Sequence, residues 1–394
     1  MNKNILHSDV QAYIKANRLN NPSAIALKKS PFTEVSSSEL ASQIDGYQRA
    51  LKKLPTWAHT DNIYFPDKIN MEQCSSEQTA QFKQDLINKS SKVVDVTGGF
   101  SVDSCYMAQH AESVVHCELN EKLSEIVKYN AHQLGIHNLT ALASDGIAYV
   151  NSVPDHSIDY IYIDPSRRIN HAKVFLLEDC EPNIVELQDM FFTKAHTILC
   201  KLSPLMDIST GLTKLKHVRE VYVISLDGDC KELLFIQDHC YEGLPIIKAI
   251  RLIGNFQQEI AFSMEEEKSM CVTPIAPAMY LYDPDVAVTK AGAFKIITKK
   301  FEVGKIHQHT HLYTADILIS DFPGRSFKIQ EVYALSSFKK NNNFKQANVA
   351  AKNFPMKVDE IRKKFKIKDG GKDFLYFTTD YLENLIVLHV TKIS

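Results

Sequence analysis

The sequence predicts an α/β protein: a seven-stranded, mostly parallel sheet flanked by helices, with a helical region before it and small α+β modules after it. Three observations predict this. Between Ser91 and Ile236 short apolar runs alternate with segments of helical periodicity, the pattern of a sheet covered on both faces. Residues 1–70 instead carry helix-start signals and apolar residues at helical spacing. From about residue 270, with Pro274, Pro277 and Pro284 as punctuation, the pattern turns to short strands and turns. Four segments result: 1–70, 71–269, 270–322 and 323–394.

In the first segment, Ser36 and Glu39 stand at capping-box spacing. Leu40, Ile44, Tyr47, Leu51 and Leu54 then fall on one helical face, and Pro55 ends the run. Cys74-Ser75-Ser76-Glu77 reads as a second capped start, with Phe82 and Leu86 on the buried side. Strands are expected at Val93–Val96, Val114–Cys117, Leu139–Ala143, Ile158–Ile163, Ile198–Leu202, Val221–Leu226 and Leu233–Ile236, with helices near Val102–His110 and Glu121–Gln133. There is no internal repeat.

Composition narrows the class. Of 394 residues 44% are hydrophobic and 23% charged, ordinary for a globular chain with a sizeable core, and 14 glycines and 14 prolines exclude a collagen-like or linker-like protein. The longest apolar runs fall far below the ~20 residues a bilayer span needs, and residues 1–20 have no signal-peptide core, so a soluble cytoplasmic chain without membrane contact is expected; the sequence does not reveal the oligomeric state, with a monomer favoured. The eight cysteines include no CxxC pair and read as reduced, mostly buried thiols, with neither a zinc site nor a disulfide framework. The net charge of −2 conceals an asymmetry: Arg325 to Lys372 holds 13 basic and four acidic residues, leaving −11 elsewhere. A basic end on an acidic body suits a polyanionic partner, although a solvated lysine-rich helix would look the same.

Chemistry concentrates at four consecutive strand ends. Asp95-Val-Thr97-Gly98-Gly99-Phe100-Ser101 follows the first strand, and its paired glycines let the backbone approach a ligand. Glu118 ends the second strand, where a carboxylate can accept both hydroxyls of a ribose. Asp145 and Gly146 follow the third, where an acid can accept an exocyclic amine. Asp164-Pro165-Ser166-Arg167 follows the fourth. Singly, each has a plainer account as a connecting turn or a solvated acid. Their order, at intervals of 19 to 27 residues, carries the inference toward a nucleoside cofactor. In open α/β sheets such ligands lie beyond the strands' carboxyl ends.

The span Val93–Ile236 resembles the class I S-adenosylmethionine-dependent methyltransferases, with a Rossmann-like sheet, and Asp95–Asp145 is most similar to RNA methyltransferases of the trimethylguanosine synthase type. The whole chain looks like a group of bacterial RNA methyltransferases that carry a ferredoxin-like module before a C-terminal THUMP-like domain. Glu72–Glu77, Asp164–Arg168, Cys230–Leu234, Thr310–Tyr313, Lys352–Pro355 and Lys368–Gly371 carry that match. The resemblance implies S-adenosylmethionine as cofactor, held by Asp95, Thr97, Gly98, Gly99 and Phe100 at its methionine, Glu118 at its ribose, and Asp145 with Gly146 at its adenine. Ser75 and Ser76 would close over it from the preceding helix. Asp164, Pro165, Ser166 and Arg167 would form the catalytic motif, and residues 270–322 the ferredoxin-like module.

The family pattern is altered in two places. Thr97 and Ser101 stand where the loop has further glycines, and Ser166 and Arg167 replace a proline and the aromatic that stacks on a flipped base. An arginine plane can also stack or grip phosphate. Methyl transfer from a sulfonium is an in-line displacement, so the protein must align three atoms, and proximity supplies several kcal/mol of the barrier. Asp164 and the carbonyls of Pro165 and Ser166 could accept hydrogen bonds from an attacking amine.

RNA is the expected partner, through Lys339, Lys340, Lys345, Lys352, Arg362, Lys363 and Lys364. The segment 339–345 mixes cations, amides and Phe344, as RNA-contacting loops do. His307, His309 and His311 would share one face of a strand at metal-ligand reach, but a solvent-facing strand is the plainer account and no metal is expected. Lys201, at the end of the fifth strand, suits a phosphate contact or a plain surface lysine equally well. Two other functions remain open: an RNA-binding protein on an inactive scaffold, and a methyltransferase of proteins or small molecules. A nicotinamide dehydrogenase would need GxGxxG after the first strand, which Thr97-Gly98-Gly99-Phe100-Ser101-Val102 does not supply.

Overall fold

Ser36 starts the first long helix as its sequence asks: its hydroxyl accepts from the Glu39 amide while Glu39 reaches back, and the helix runs Ser37–Lys53. The structure is a computed structural model that describes residues 1–167 and 177–393, apart from the side chains of Arg167 and Asn341. Arg168, within the expected catalytic segment, lies outside the described residues. The chain divides into two compact units, Met1–Arg219 with Leu234–Gly243, and Glu220–Leu233 with Leu244–Ser394.

In the first unit the helix Ser37–Lys53 buries Leu40 and Ile44 among neighbouring helices, with Leu54 just beyond its end. Leu51, expected on that face, is 37% exposed. The core so formed includes Trp57, Phe100, Val102, Tyr106, Leu123 and Ile126, so residues 1–70 share their core with the segment that follows. Ser76 caps the helix Glu77–Gln84, which buries Phe82; Ile87 rather than Leu86 completes its apolar side.

All seven expected strands form: β1 (Lys92–Asp95), β2 (Ser113–Cys117), β3 (Leu139–Leu142), β4 (Ile158–Ile163), β5 (Ala195–Leu202), β6 (Val218–Leu226) and β7 (Asp229–Asp238). Two more, β8 (Ile246–Ile253) and β9 (Phe256–Ser263), extend the sheet to nine. The order is β3-β2-β1-β4-β5-β7-β6-β8-β9, and β1 pairs in parallel with both β2 and β4. The chain therefore builds outward from β1 to β3, returns, and builds the other way from β4. That reversal opens a crevice at the carboxyl ends of β1 and β4. The sequence reading missed β8 and β9, an antiparallel hairpin whose turn, Gly254-Asn255, is itself a hairpin signal.

The second unit carries a seven-stranded sheet: β10 (Tyr280–Pro284), β11 (Gly304–His307), β12 (Thr310–Ala315), β13 (Gly324–Ala334), β14 (Asn348–Lys352), β15 (Phe374–Thr379) and β16 (Leu385–Lys392), in the order β11-β12-β10-β13-β16-β15-β14. β10 pairs with both β12 and β13, so residues 270–322 and 323–394 share one sheet. They also share a core, with Leu281, Ile306 and Leu312 packed among Phe327, Tyr376 and Leu388. Asp283 is 2% exposed at this seam, bound by Arg325, by the Tyr376 hydroxyl at 2.9 Å and by Lys352 at 3.3 Å.

The three histidines do not share a strand. His307 ends β11, His309 lies in the turn, and His311 belongs to β12. His307 bonds Glu383 at 2.8 Å, and His311 stacks on Phe294 with centroids 3.6 Å apart. Among the described residues no cluster of His, Cys, Asp and Glu could hold a metal, and no helix is long and apolar enough to cross a membrane.

Candidate active site

The loop after β1 is built around Asp95. Its Oδ1 accepts from the amides of Thr97 (3.0 Å) and Gly98 (3.2 Å) and from the Thr97 hydroxyl, while the Ser104 hydroxyl donates to Oδ2. This carboxylate is 2% exposed and commits one oxygen to the loop and the other to Ser104 on the helix Val102–Met107. Burial pushes its pKa up to about 6, against the pull of Ser104 and Thr97. Asp95 thus shapes the loop from beneath.

Thr97 explains one departure from the family's glycine pattern. Its hydroxyl also accepts from the Asp164 amide at 2.8 Å, joining the carboxyl ends of β1 and β4 across the crevice floor. Ser101 occupies the other departure with φ at 62°, in the left-handed region where glycine is at ease, a strain of roughly 1–2 kcal/mol. Phe100 turns away, 3% exposed with its ring 4.8 Å from that of Trp57.

Gly98 and Gly99 bring the loop to the end of β2. A Cβ on Gly98 would stand 2.4 Å from the Cys117 carbonyl and 2.8 Å from Glu118, so only glycine fits. Gly99, at φ 71°, has nothing within 4 Å of such an atom. That open cradle is where a cofactor can lie against backbone. Glu118 accepts from the Gly99 amide at 2.7 Å and from the Asn120 amide at 2.7 Å. Each of its oxygens keeps a lone pair for a ribose hydroxyl. Asp145 is exposed and caps the helix Gly146–Ser152, Oδ1 accepting from Ile147 and Ala148. Gly146 is held by packing, since a Cβ there would meet the Val96 carbonyl at 2.4 Å.

Beneath the β4 end lies a network that the sequence reading did not assemble. Lys201, on β5, lies 2.6 Å from Asp164 Oδ2 and 3.8 Å from Asp103 Oδ2. Lys83 approaches the other oxygen of Asp103 at 3.1 Å. The Ser75 hydroxyl donates to Asp103 at 2.7 Å and accepts from both lysines at 3.3 Å, and the Tyr162 hydroxyl donates to Asp103 at 2.7 Å. Burial opposes ionisation of Asp103, but Lys83, Lys201 and the two hydroxyls hold it below the usual carboxylate range. Asp164 goes the other way: protein packed on one side pushes its carboxyl up despite Lys201, although 39% of the side chain stays accessible on the other. Lys83 is the signal that was available: a cation next to Phe82, on the helix side that also buries Ala80, announces a buried partner.

The structure therefore brings Thr97, Gly98, Gly99, Glu118, Asp145 and Asp164 to one end of the sheet. Ser75 is instead committed to Asp103, Ser76 to its helix cap, and Phe100 to the helical core. Pro165 is buried and Ser166 exposed, and the backbone of Ser166 and Arg167 pairs with Cys180 and Glu181. In the second unit Lys339, Lys340, Lys345, Lys363 and Lys364 are exposed, whereas Arg362 pairs with Asp369 and Lys352 with Asp283. Phe344 is half-buried, packing beside Phe338 against the module's core and lying 4.8 Å from His389.

Known proteins resemble this chain along its length. Residues 280–323 match a ferredoxin-like domain family and residues 324–392 a THUMP domain-like family. The crystal structure of a protein of Porphyromonas gingivalis W83, named "putative methyltransferase", superposes with a TM-score of 0.88 at 30% identity, covering 100% of this chain and 99% of that one. The 23S rRNA (uracil(747)-C(5))-methyltransferase RlmC of Vibrio vulnificus (strain CMCP6) is 38% identical over 71 residues. That match spans 18% of this chain and 18% of that enzyme.

Proposed function

The chain belongs to the methyltransferase family of that Porphyromonas protein, and from this premise we propose that it transfers a methyl group from S-adenosylmethionine to a base in RNA. One observation carries the reading. Thr97-Gly98-Gly99, Glu118, Asp145 and Asp164 stand at four consecutive strand ends, at the point where the strand order reverses. The bound cofactor would supply an activated methyl. The chain's part is to receive it: the Gly98–Gly99 backbone allows close approach, Glu118 takes the ribose hydroxyls, and Asp145 uses its remaining oxygen on the adenine amine. Asp164, half-open at the crevice, orients the acceptor's lone pair.

The RNA partner is supported by the THUMP-like match and by exposed Lys339, Lys340, Lys345, Lys363 and Lys364 around it. The same reading places the protein in the cytoplasm, where unmodified RNA is made. Calorimetry with S-adenosylmethionine tests the first half, with micromolar binding expected and no binding at saturating dose refuting it. Mass spectrometry of nucleosides from a deletion strain tests the second, with one methylated nucleoside expected to vanish.

A further inference from the structure

Asp164, Lys201, Asp103 and Lys83 form a chain of side chains that alternates in sign and runs from the crevice into the interior. Its side-chain exposures fall from 39% at Asp164 to 11%, 10% and 0%. Each charge adjoins one of opposite sign, which makes such burial tolerable, and the hydroxyls of Ser75 and Tyr162 donate to Asp103 as well. A lysine normally carries a flexible four-carbon stem. Here, among the described residues, Asp164, Asp103 and Ser75 all meet the tip of Lys201.

We infer that Lys201 is a positioning residue for methyl transfer, pinning Asp164 Oδ2 so that Oδ1 faces an acceptor bearing an N–H or O–H. The inference rests on the role proposed for Asp164 and deepens it by assigning the acceptor's class. Three points support it. Among the described residues Oδ1 of Asp164 has no bonded partner, while Oδ2 is held at 2.6 Å. The Asp164 amide is fixed independently by Thr97, so backbone and carboxylate are both oriented. A pyrimidine carbon, by contrast, would first need a thiolate added to the ring, and burial raises the pKa of both Cys74 and Cys200, the thiols adjoining Ser75 and Lys201 in sequence. In the step itself the acceptor's lone pair forms the bond to the methyl carbon as the carbon–sulfur bond breaks. The sulfonium departs as a neutral thioether, and the acceptor's proton passes to Asp164 Oδ1 and then to solvent.

The test compares Lys201→Met and Lys201→Arg with the native full-length protein in three readouts. Titration of S-adenosylhomocysteine by calorimetry should give equal affinity throughout. The carbon-13 carboxyl signal of Asp164 should titrate at least one pH unit higher in Lys201→Met and return toward the native value in Lys201→Arg. Transfer of tritiated methyl from S-adenosylmethionine to total RNA of a deletion strain should lose at least 100-fold in kcat in Lys201→Met, with KM for the donor unchanged and at least a tenth of the rate recovered by Lys201→Arg. An Asp164 titration that does not move, or a native kcat in Lys201→Met, overturns the inference. Native protein that labels no RNA overturns the RNA reading alone, and the carboxyl titration then decides for or against Lys201. Should Lys201→Met not fold, Lys201→Gln takes its place in every readout.

Discussion

Asp95 and His116 stand opposite each other in register on β1 and β2, 2% and 0% exposed, and burial moves their pKa values past one another. Asp95 rises from 3.8 to about 6, and His116, whose ring lies against the Gly98 and Gly99 backbone, falls from 6.5 to about 4. The folded state holds the Asp95 proton more tightly than the unfolded chain, so this group's contribution to stability declines as pH rises from about 4 to about 6. It holds the His116 proton less tightly, so that contribution grows as pH rises from about 4 to about 6.5. Each slope approaches roughly 1.4 kcal/mol per pH unit, and near pH 5 they cancel. Asp95→Asn leaves the His116 slope unopposed. Urea unfolding should then show stability climbing with pH, relative to the native protein, by roughly 2–3 kcal/mol between pH 4 and 6. Parallel curves would refute the pairing.

Thr97 joins two strand ends with one hydroxyl. Thr97→Val leaves the Asp164 amide without its acceptor and should cost about 1–3 kcal/mol in urea unfolding, whereas Thr97→Ser should stay near the native value. Equal loss in both variants would assign the effect to packing instead.

Asp145 caps a helix and is read as the adenine acid, and one substitution separates these roles. Asparagine caps about as well as aspartate, so Asp145→Asn should keep its melting temperature. Its affinity for S-adenosylhomocysteine should nevertheless fall about tenfold, as expected from about 1.4 kcal/mol of lost charged hydrogen bonding. Unchanged binding by calorimetry would remove Asp145 from the cofactor site.

Gly99 and Gly146 differ in what an added methyl would meet. Gly146→Ala drives a Cβ against the Val96 carbonyl and should destabilise by about 1–3 kcal/mol or more. Gly99→Ala meets nothing and should cost only about 1 kcal/mol for its positive φ, yet weaken S-adenosylhomocysteine binding at least tenfold. Thermal melts and calorimetry on the two variants check both halves.

Lys352 differs in kind from Lys363 and Lys364. Removing an exposed lysine that contacts phosphate should leave stability within about 0.5 kcal/mol and lower the slope of log affinity against log salt by about one. Lys363→Ala and Lys364→Ala should behave so in RNA titrations. Lys352→Ala withdraws a partner from buried Asp283 and should destabilise the protein by about 1–3 kcal/mol.

Local patterns were legible. The Ser36 and Ser76 caps, the seven strands and the placing of Glu118, Asp145 and Asp164 at strand ends all depend on spacings of a few residues. The β8–β9 hairpin was equally local and was missed although Gly254-Asn255 announced it. Other features depended on which way a ring turned. Phe100 reads as a loop residue in sequence but lies against Trp57, and Phe344 reads as an RNA contact but packs beside Phe338. The histidine series broke at a turn that alternation alone does not reveal.

By itself the sequence determined the order of strands and helices, the acids that end them and the basic character of the C-terminal segment, because backbone periodicity and capping act over one or two turns of chain. Only the tertiary structure decided which of those acids face open space and which are spent inside. Lys201 bonds Ser75 across 126 positions, and Asp95 turns inward while Glu118 stays accessible. A buried charge must find its counter-charge wherever packing brings one, and separation along the chain places no limit on that search.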